Sequence, residues 1–413
     1  MRHRAALITT RAVNAASRRL GRGRGTVAGG RAGLRVDPQL LEHLASSRQV
    51  ALVTGTNGKT TTTRLLTVAL GSGGAAVVSN ETGSNMPPGQ VAALAADRGA
   101  PRAVLETDEI YLPRVLAATR ATTVVLLNLS RDQLDRTNEV RMVAGRWRAA
   151  LAAAPHTTVV ANADDPLVVW GAGAAGRVDW VAAGLGWQLD AAGCPSCEGH
   201  ISFGADGTWA CGSGCGFTRP TPMAALVDDG PVPRGVWADG RSFRVALALP
   251  GRFNQANALM AAVAAESMGI DAGAALEAMA AVAEVAGRFT SRTVGGVPAR
   301  LMLAKNPAGW GELLNLVAGD TGPIVVSINA RVADGADPSW LWDVPFERLD
   351  GRTVVATGDR CRDLSVRLRY AGVTHTMETD PVAAVRRAAP DGVGSVDVIG
   401  NYTAFNELLE ARS

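Results

Sequence analysis

Residues 53–63 read Val-Thr-Gly-Thr-Asn-Gly-Lys-Thr-Thr-Thr-Thr, and their types and order suit the gripping of phosphate. The glycines let backbone N–H groups turn inward around oxyanions, and a helix starting at Lys59 adds the positive end of its dipole. Lys59 is placed to reach the β- and γ-phosphates of a nucleotide, and the Thr60 hydroxyl to ligate Mg²⁺. Gly55, Thr56, Asn57, Gly58, Lys59, Thr60 and Thr61 are therefore the candidate nucleotide-binding set. Only two residues separate the glycines, against four in the usual phosphate loop. Lysine usage points the same way. Lys59 and Lys305 are the only lysines, and all other basic residues among the 41 are arginine. Arginine replaces lysine where a solvated charge suffices, but not where a compact ammonium must fit a tight oxygen cage. Lys305, in Leu-Ala-Lys-Asn-Pro-Ala-Gly-Trp (303–310), is thus a second candidate for contacting phosphate, with a structural ion pair as the alternative.

Mg²⁺ needs further hard oxygen ligands. In Val104-Leu105-Glu106-Thr107-Asp108-Glu109, carboxylates follow a buried strand, and Glu106 is the first candidate as metal ligand. Asp108 and Glu109 either join it or form a solvated turn. Four of five cysteines fall within residues 194–215, as Cys194-Pro-Ser-Cys197 and Cys211-Gly-Ser-Gly-Cys215. Thiolates at these spacings, beside glycines that permit tight knuckles, suit one tetrahedral Zn²⁺. With four protein ligands the metal would be structural. His200 could replace one thiolate, and a pair of redox-labile thiols is the competing reading. Cys361 stands alone, as a packed small side chain.

These residues need a scaffold. Residues 50–54 read as a short buried strand and 60–70 as a helix. Further strand-like runs lie at Ala75–Ser79, Ala103–Glu106, Thr122–Asn128 and Thr157–Asn162, with alanine-rich helical stretches between them. That alternation predicts an α/β fold, a parallel sheet with helices on both faces and functional loops at the strands' carboxyl ends. Residues 187–220 read as an inserted lobe. Helical periodicity returns at Asn254–Met268 and Ala272–Ala286, Gly287–Gly296 reads as a linker, and a second alternating unit follows. Its elements are strand Ala299–Ala304, helix Gly309–Leu316, and strands Pro323–Ile328 and Thr353–Thr357. The expected domains are an Arg-rich segment 1–45, a nucleotide-binding domain 46–290 carrying the insertion, and a smaller α/β domain 296–413.

At 413 residues the chain is too long for one core and suits two or three domains. A net charge of +3 gives no case for nucleic acid as the main partner. The basic excess sits at the start, where nine arginines from Arg2 to Arg35 precede the first acid, Asp37. That stretch either touches anionic lipid or a charged substrate, or is a solvated, partly frayed arm. It lacks the apolar run of a signal peptide, and no run of about 18 apolar residues follows, so a cytoplasmic location is expected.

TGTNGKTT, LETDE, NLSRDQLDR (128–136), ANADDP (161–166) and GRFNQANALMAA (251–262) stand in the order that resembles the Mur ligases. Those enzymes activate a carboxylate with ATP as an acyl phosphate, which an amine then attacks. The resemblance implies that Asn162, Asp164 and Asp165 line the nucleotide side of the cleft, with Asn254 and Asn257 near the adenine. Two features depart from the family pattern. The family's Asp-His pair is here Asp132-Gln133, and no lysine is available for the carbamoylated lysine of the peptide-adding members.

LAKNPAGW, ADGADPSWLWDVPFE (333–347) and IGNYTAF (399–405), together with the cysteine ribbon, resemble the MurT family, the Mur-ligase-like subunits of lipid II isoglutaminyl synthase. The implied reaction amidates the α-carboxylate of D-glutamate in the lipid II stem peptide, at the inner face of the membrane. Ammonia would come from a separate glutaminase subunit of the GatD type, because this chain has no convincing Cys-His pair of its own. By the same resemblance Asp337 completes the partner's Cys-His pair, with Asp334 and Asp343 as alternatives. Competing functions are another amide ligase with the same ATP site, such as a folylpolyglutamate-synthase-like enzyme, and a non-catalytic nucleotide-binding scaffold.

Overall fold

The computed structural model describes residues 2–19, 27–80, 84–131, 140–285, 288–389 and 394–411. It divides into two compact units, one built from most of residues 1–283 and the other from residues 284–413.

The first unit opens with three helices, α1 (Arg2–Arg19), α2 (Ala28–Val36) and α3 (Leu40–Ala45). Among the described residues the basic N-terminal stretch is thus packed helix rather than a frayed arm. Ala6, Thr10 and Asn14, one helical turn apart, are buried, and Asn14 Oδ1 accepts the Gly29 N–H at 3.1 Å. Strands and helices then alternate: β1 (Gln49–Thr54), α4 (Lys59–Gly71), β2 (Val77–Ser79), α5 (Pro87–Ala96), β3 (Arg102–Glu106), α6 (Leu112–Thr119) and β4 (Thr123–Leu126). They continue with α7 (Val140–Ala152), β5 (Thr158–Asn162), α8 (Pro166–Ala172) and β6 (Arg177–Ala182). A two-stranded ribbon, β7 (Ile201–Phe203) and β8 (Trp209–Cys211), interrupts before β9 (Ala224–Val227), β10 (Arg234–Trp237) and β11 (Ser242–Arg244). The unit ends with α9 (Arg252–Ser267) and α10 (Ala272–Ala280).

Among the described residues these strands form a nine-stranded sheet ordered β11-β10-β9-β6-β5-β4-β1-β3-β2. It is parallel from β2 to β9, with β10 and β11 antiparallel at one edge. β1 lies between β3 and β4 with Val53 opposite Glu106 and Thr54 opposite Leu126, so the loop after β1 emerges between the ends of its neighbours. Leu52, Leu105, Val124 and Val159 share one core with Leu112 of α6 and Trp147 of α7. α9 packs on β4, β5 and α4, and its run Asn257–Ala265 is buried. Its alanines are what allow a helix to be enclosed so closely.

The second unit holds β12 (Phe289–Val294), β13 (Val297–Leu303), α11 (Pro307–Val317), β14 (Ile324–Ser327) and β15 (Val354–Thr357). α12 (Cys361–Tyr370), β16 (His375–Met377), α13 (Pro381–Ala388), β17 (Val396–Gly400) and α14 (Tyr402–Glu410) follow. The sheet order is β12-β13-β17-β14-β15-β16, with only β12 antiparallel to its neighbour. The expected linker at Gly287–Gly296 is therefore wrong. Phe289-Thr-Ser-Arg-Thr-Val294 is a strand, and Gly295 and Gly296, both at positive φ, close a two-residue hairpin onto β13. The glycine pair belongs to a tight turn between β-prone residues, not to a flexible connector.

Candidate nucleotide cradle and cysteine ribbon

The loop Gly55–Gly58 is held by the ends of the strands beside it. Asn128, two residues past β4, brackets the Asn57 peptide: its Oδ1 accepts the Asn57 N–H at 2.9 Å and its Nδ2 donates to the Asn57 carbonyl at 3.0 Å. The Thr56 hydroxyl donates to the Ser130 carbonyl and accepts the Ser130 N–H, each at 2.9 Å. Gly58 has φ +85°, and a Cβ there would lie 2.7 Å from Asn257 Oδ1, so conformation and space both require glycine. α4 begins directly after it, so the free N–H groups of its first turn face back toward the loop.

Lys59 is buried, and its ammonium donates to the Gly55 carbonyl at 2.6 Å, the Thr56 carbonyl at 3.0 Å and Glu109 Oε2 at 3.1 Å. This is the tight oxygen cage that arginine cannot enter. Glu109 is thus an ion-pair partner of the loop lysine and not a solvated turn residue. Asp108 instead accepts the Ile110 N–H in the turn before α6.

Glu106 ends β3 beside the loop and is only 2% exposed. Its peptide is clamped by Asn80, which accepts its N–H at 2.8 Å and donates to its carbonyl at 2.9 Å, while Gln90 Nε2 donates to the same carbonyl. Its carboxylate oxygen Oε2 is buried with no hydrogen-bond partner among the described residues. An orphaned buried carboxylate oxygen carries a desolvation cost that a cation would relieve, so the donor set fits Mg²⁺.

At the end of β5, Asn162 donates to the Gly184 carbonyl at 3.0 Å. Asp164 accepts the Gly184 N–H and the Arg219 guanidinium, both at 2.6 Å. Asp165 caps α8, accepting N–H bonds from Leu167, Val168 and Leu129, and burial pushes its carboxyl up to about 6 against the pull of those donors. Both carboxylates are committed to shaping this loop. Asn254 Nδ2 donates to the Pro250 carbonyl at 2.6 Å, fixing the start of α9. Asp132 and Gln133 lie outside the described residues.

The Sγ atoms of Cys194, Cys197, Cys211 and Cys215 lie within 4.8 Å of one another, with Cys194–Cys215 at 3.7 Å and Cys197–Cys211 at 3.4 Å. Disulfide sulfurs would be about 2.05 Å apart. Tetrahedral Zn²⁺ at about 2.3 Å from each thiolate places sulfurs about 3.8 Å apart, so the set fits zinc. His200 is not needed as a ligand. The thiols share their protons: a backbone N–H from Ser213 leads the interactions that draw Cys211 down to about 6, while Cys197 is pushed up to about 12 against the pull of the Gly199 N–H. Cys194, Ile201, Trp209 and Val169 form a small core, and Trp209 Nε1 donates to the Ala163 carbonyl at 3.0 Å. Through Trp209 and Arg219 the ribbon is tied to the Ala163-Asp164 loop.

Comparison with known proteins places these features. The family described as Mur ligase middle domain matches residues 53–178, and that described as MurT ligase C-terminal matches residues 303–405. The UDP-N-acetylmuramoylalanine–D-glutamate ligase of Bordetella pertussis is 31% identical, over 90% of this chain and 74% of its own length. The chain belongs to the Mur ligase family. Its MurT character comes from nearly full-length similarity to relatives named "lipid II isoglutaminyl synthase (glutamine-hydrolyzing) subunit MurT". That of Streptococcus pneumoniae is 29% identical over 94% of this chain and 93% of its own. That of Staphylococcus aureus (strain COL) is 28% identical over 99% and 98%. Among solved structures, a pseudomurein peptide ligase type C from Methanothermus fervidus superposes with TM-score 0.66 at 21% identity, covering 90% of this chain and 80% of that one. MurF ligase from Thermotoga maritima in complex with ADP gives 0.63 at 15% identity, covering 92% and 83%. Both share the fold.

In the second unit of this Mur ligase, Lys305 is exposed after β13, with its ammonium 5.2 Å from the centre of the Tyr402 ring. Asp337 is exposed and accepts the Ser339 N–H at 2.8 Å, and Asp343 is also exposed. Asp334 is buried and bonded to the Thr403 N–H and hydroxyl, which removes it as an alternative for reaching a partner. Cys361 is buried at the start of α12. Sequence reasoning missed Asn80, Gln90 and Asn128 as positioning residues and left Glu109 open. The available signal was polar side chains just past buried strands, where a parallel sheet gathers its functional loops.

Proposed function

We propose that this chain is the synthase subunit of a lipid II isoglutaminyl synthase. It would use ATP to activate the α-carboxylate of D-glutamate in the stem peptide, then let ammonia displace the phosphate. The observation carrying this reading is the phosphate cradle itself: a buried ammonium in the loop, beside a buried carboxylate with an oxygen left unpaired. The near full-length likeness to MurT subunits supports the choice of substrate.

In this reading Lys59 and the N–H groups of Gly58–Thr61 stabilise charge on the transferring phosphoryl group. Glu106 and Thr60 would hold Mg²⁺, which when bound neutralises phosphate charge. Glu109 keeps the Lys59 ammonium in place until phosphate takes over part of its coordination. Zn²⁺ on the four cysteines is structural. Asn257, beside Gly58, and Asn254 serve the nucleotide side, and Lys305 remains a second candidate for contacting phosphate. Ammonia comes from a glutaminase subunit of the GatD type, to whose Cys-His pair Asp337 is offered. With the four clustered thiols on Zn²⁺ and Cys361 buried, this chain would supply no glutaminase nucleophile itself.

The reading is tested by incubating the chain and a glutaminase subunit with ATP, Mg²⁺, glutamine and lipid II, and following acid-to-amide conversion by mass spectrometry. Amide must form, and must vanish with Lys59→Ala while the complex still assembles. Amidation that survives Lys59→Ala would make the chain a scaffold. Ligation of glutamate to folate in place of amidation would make it a different amide ligase.

A further inference from the structure

α1 carries Arg4, Arg11 and Arg18 at seven-residue spacing, which puts them in one stripe along the helix. Arg19 and Ile8 flank that stripe, and Ile8 is 68% exposed, an isolated large apolar side chain on a charged surface. The buried residues Ala6, Thr10 and Asn14 lie on a different face, against α2. On α2, Arg31 and Arg35 are one turn apart and both exposed. Neither helix contains an acid, the first being Asp37, which is buried and paired with His43. None of the ion pairs among the described residues involves these arginines, and Arg11 donates only to a backbone carbonyl, Ala95, at 2.7 Å. Unneutralised cationic side chains set around an exposed isoleucine have the composition of a surface that lies on a membrane, not through it. No described helix is long and apolar enough to cross one.

We propose that the α1–α2 pair is the docking surface by which this chain sits on an anionic lipid bilayer. The proposal rests on the reading of a lipid-borne substrate, and it names the part of the chain that brings the cradle to it. Guanidinium groups bind lipid phosphates with two parallel hydrogen bonds, which suits arginine better than lysine. Ile8 enters the headgroup boundary between them. Each arginine contributes about fivefold to partitioning, so removing three lowers it about a hundredfold.

The test is co-sedimentation of the full chain with phosphatidylcholine vesicles, with and without phosphatidylglycerol. The variant combines Arg4→Gln, Arg18→Gln and Arg19→Gln, leaving Arg11 and its bond to Ala95 intact. Wild type should bind only the anionic vesicles and be released by high salt. The variant should bind about a hundredfold more weakly, with unchanged thermal stability and ADP affinity. Lipid II amidation in vesicles should fall in the variant, while amidation of a soluble stem peptide should not. Equal binding to neutral vesicles, binding to an RNA oligonucleotide but not to vesicles, or undiminished binding by the variant overturns the proposal. A wild type that binds anionic vesicles yet amidates nothing when the glutaminase subunit, ATP, Mg²⁺ and glutamine are supplied refutes the proposed reaction and leaves the docking surface standing.

Discussion

Replacing Asn128 by alanine should loosen the nucleotide loop without unfolding the sheet beneath it. The side chain makes two hydrogen bonds to the Asn57 peptide, at 2.9 and 3.0 Å. At about 0.5–1.5 kcal/mol each, their loss removes about 1–3 kcal/mol of loop order. If all of that order is needed for binding, affinity falls between about fivefold and about 150-fold. The backbone bonds Thr56 N–H to Asn128 O and Leu127 N–H to Thr54 O survive the substitution. They keep the start of the loop anchored, which places the expected loss near the lower end, about tenfold. The pairing of β1 with β4 is untouched, and Asn57 is only half-buried, so its freed N–H and C=O can turn to water. Global stability should therefore change by no more than about 1 kcal/mol. Asn128→Asp keeps the acceptor but sets a carboxylate against the Asn57 carbonyl and near the phosphates, and should bind worse than alanine. Titration calorimetry with Mg·ADP, beside urea melts, reads both quantities. A folded Asn128→Ala protein with wild-type nucleotide affinity would refute the idea that this bracket preorganises the cradle.

Lys59→Arg should weaken ADP binding as severely as Lys59→Ala. The buried cage has ammonium-sized spacing of 2.6–3.1 Å, and a guanidinium that bound normally in the same titration would contradict it. Purified protein should hold one zinc by atomic absorption. Cys197→Ser, or a strong chelator, should remove it, lower the melting temperature and change Trp209 fluorescence, whereas metal-free wild type with an intact melt would exclude zinc from the fold. Asp165 has a folded pKa raised from 3.8 to about 6, so the folded state binds its proton more tightly than the unfolded state. Its contribution to stability should decline as pH rises from about 4 to about 6 and be flat above, a trend that Asp165→Asn abolishes in paired urea melts.

The sheet was legible because buried parallel strands are short apolar runs separated by helices. Val50–Thr54 leading into the glycine loop left no other assignment for residues 49–71. The cysteine set was legible because thiol spacing alone limits what can bind. Phe289–Val294 was lost because its neighbours Gly287, Gly295 and Gly296 look like a linker, although two of them close a hairpin. The α1–α2 packing was hidden by arginine content, since the buried stripe is made of Ala6, Thr10 and Asn14 rather than large apolar residues. Asn128, Asn80 and Glu109 were hidden for a related reason. Their importance lies in contacts to loops 26 to 71 residues away, which spacing along the chain does not encode.

Tracing oxygen tests the central claim most directly. The α-carboxylate of D-glutamate in the stem peptide is labelled with ¹⁸O and turned over with ATP, the glutaminase subunit and glutamine. If a phosphoryl group is transferred to that carboxylate in the cradle, one labelled oxygen appears in inorganic phosphate for each amide formed. Amide formation with unlabelled phosphate would contradict the account.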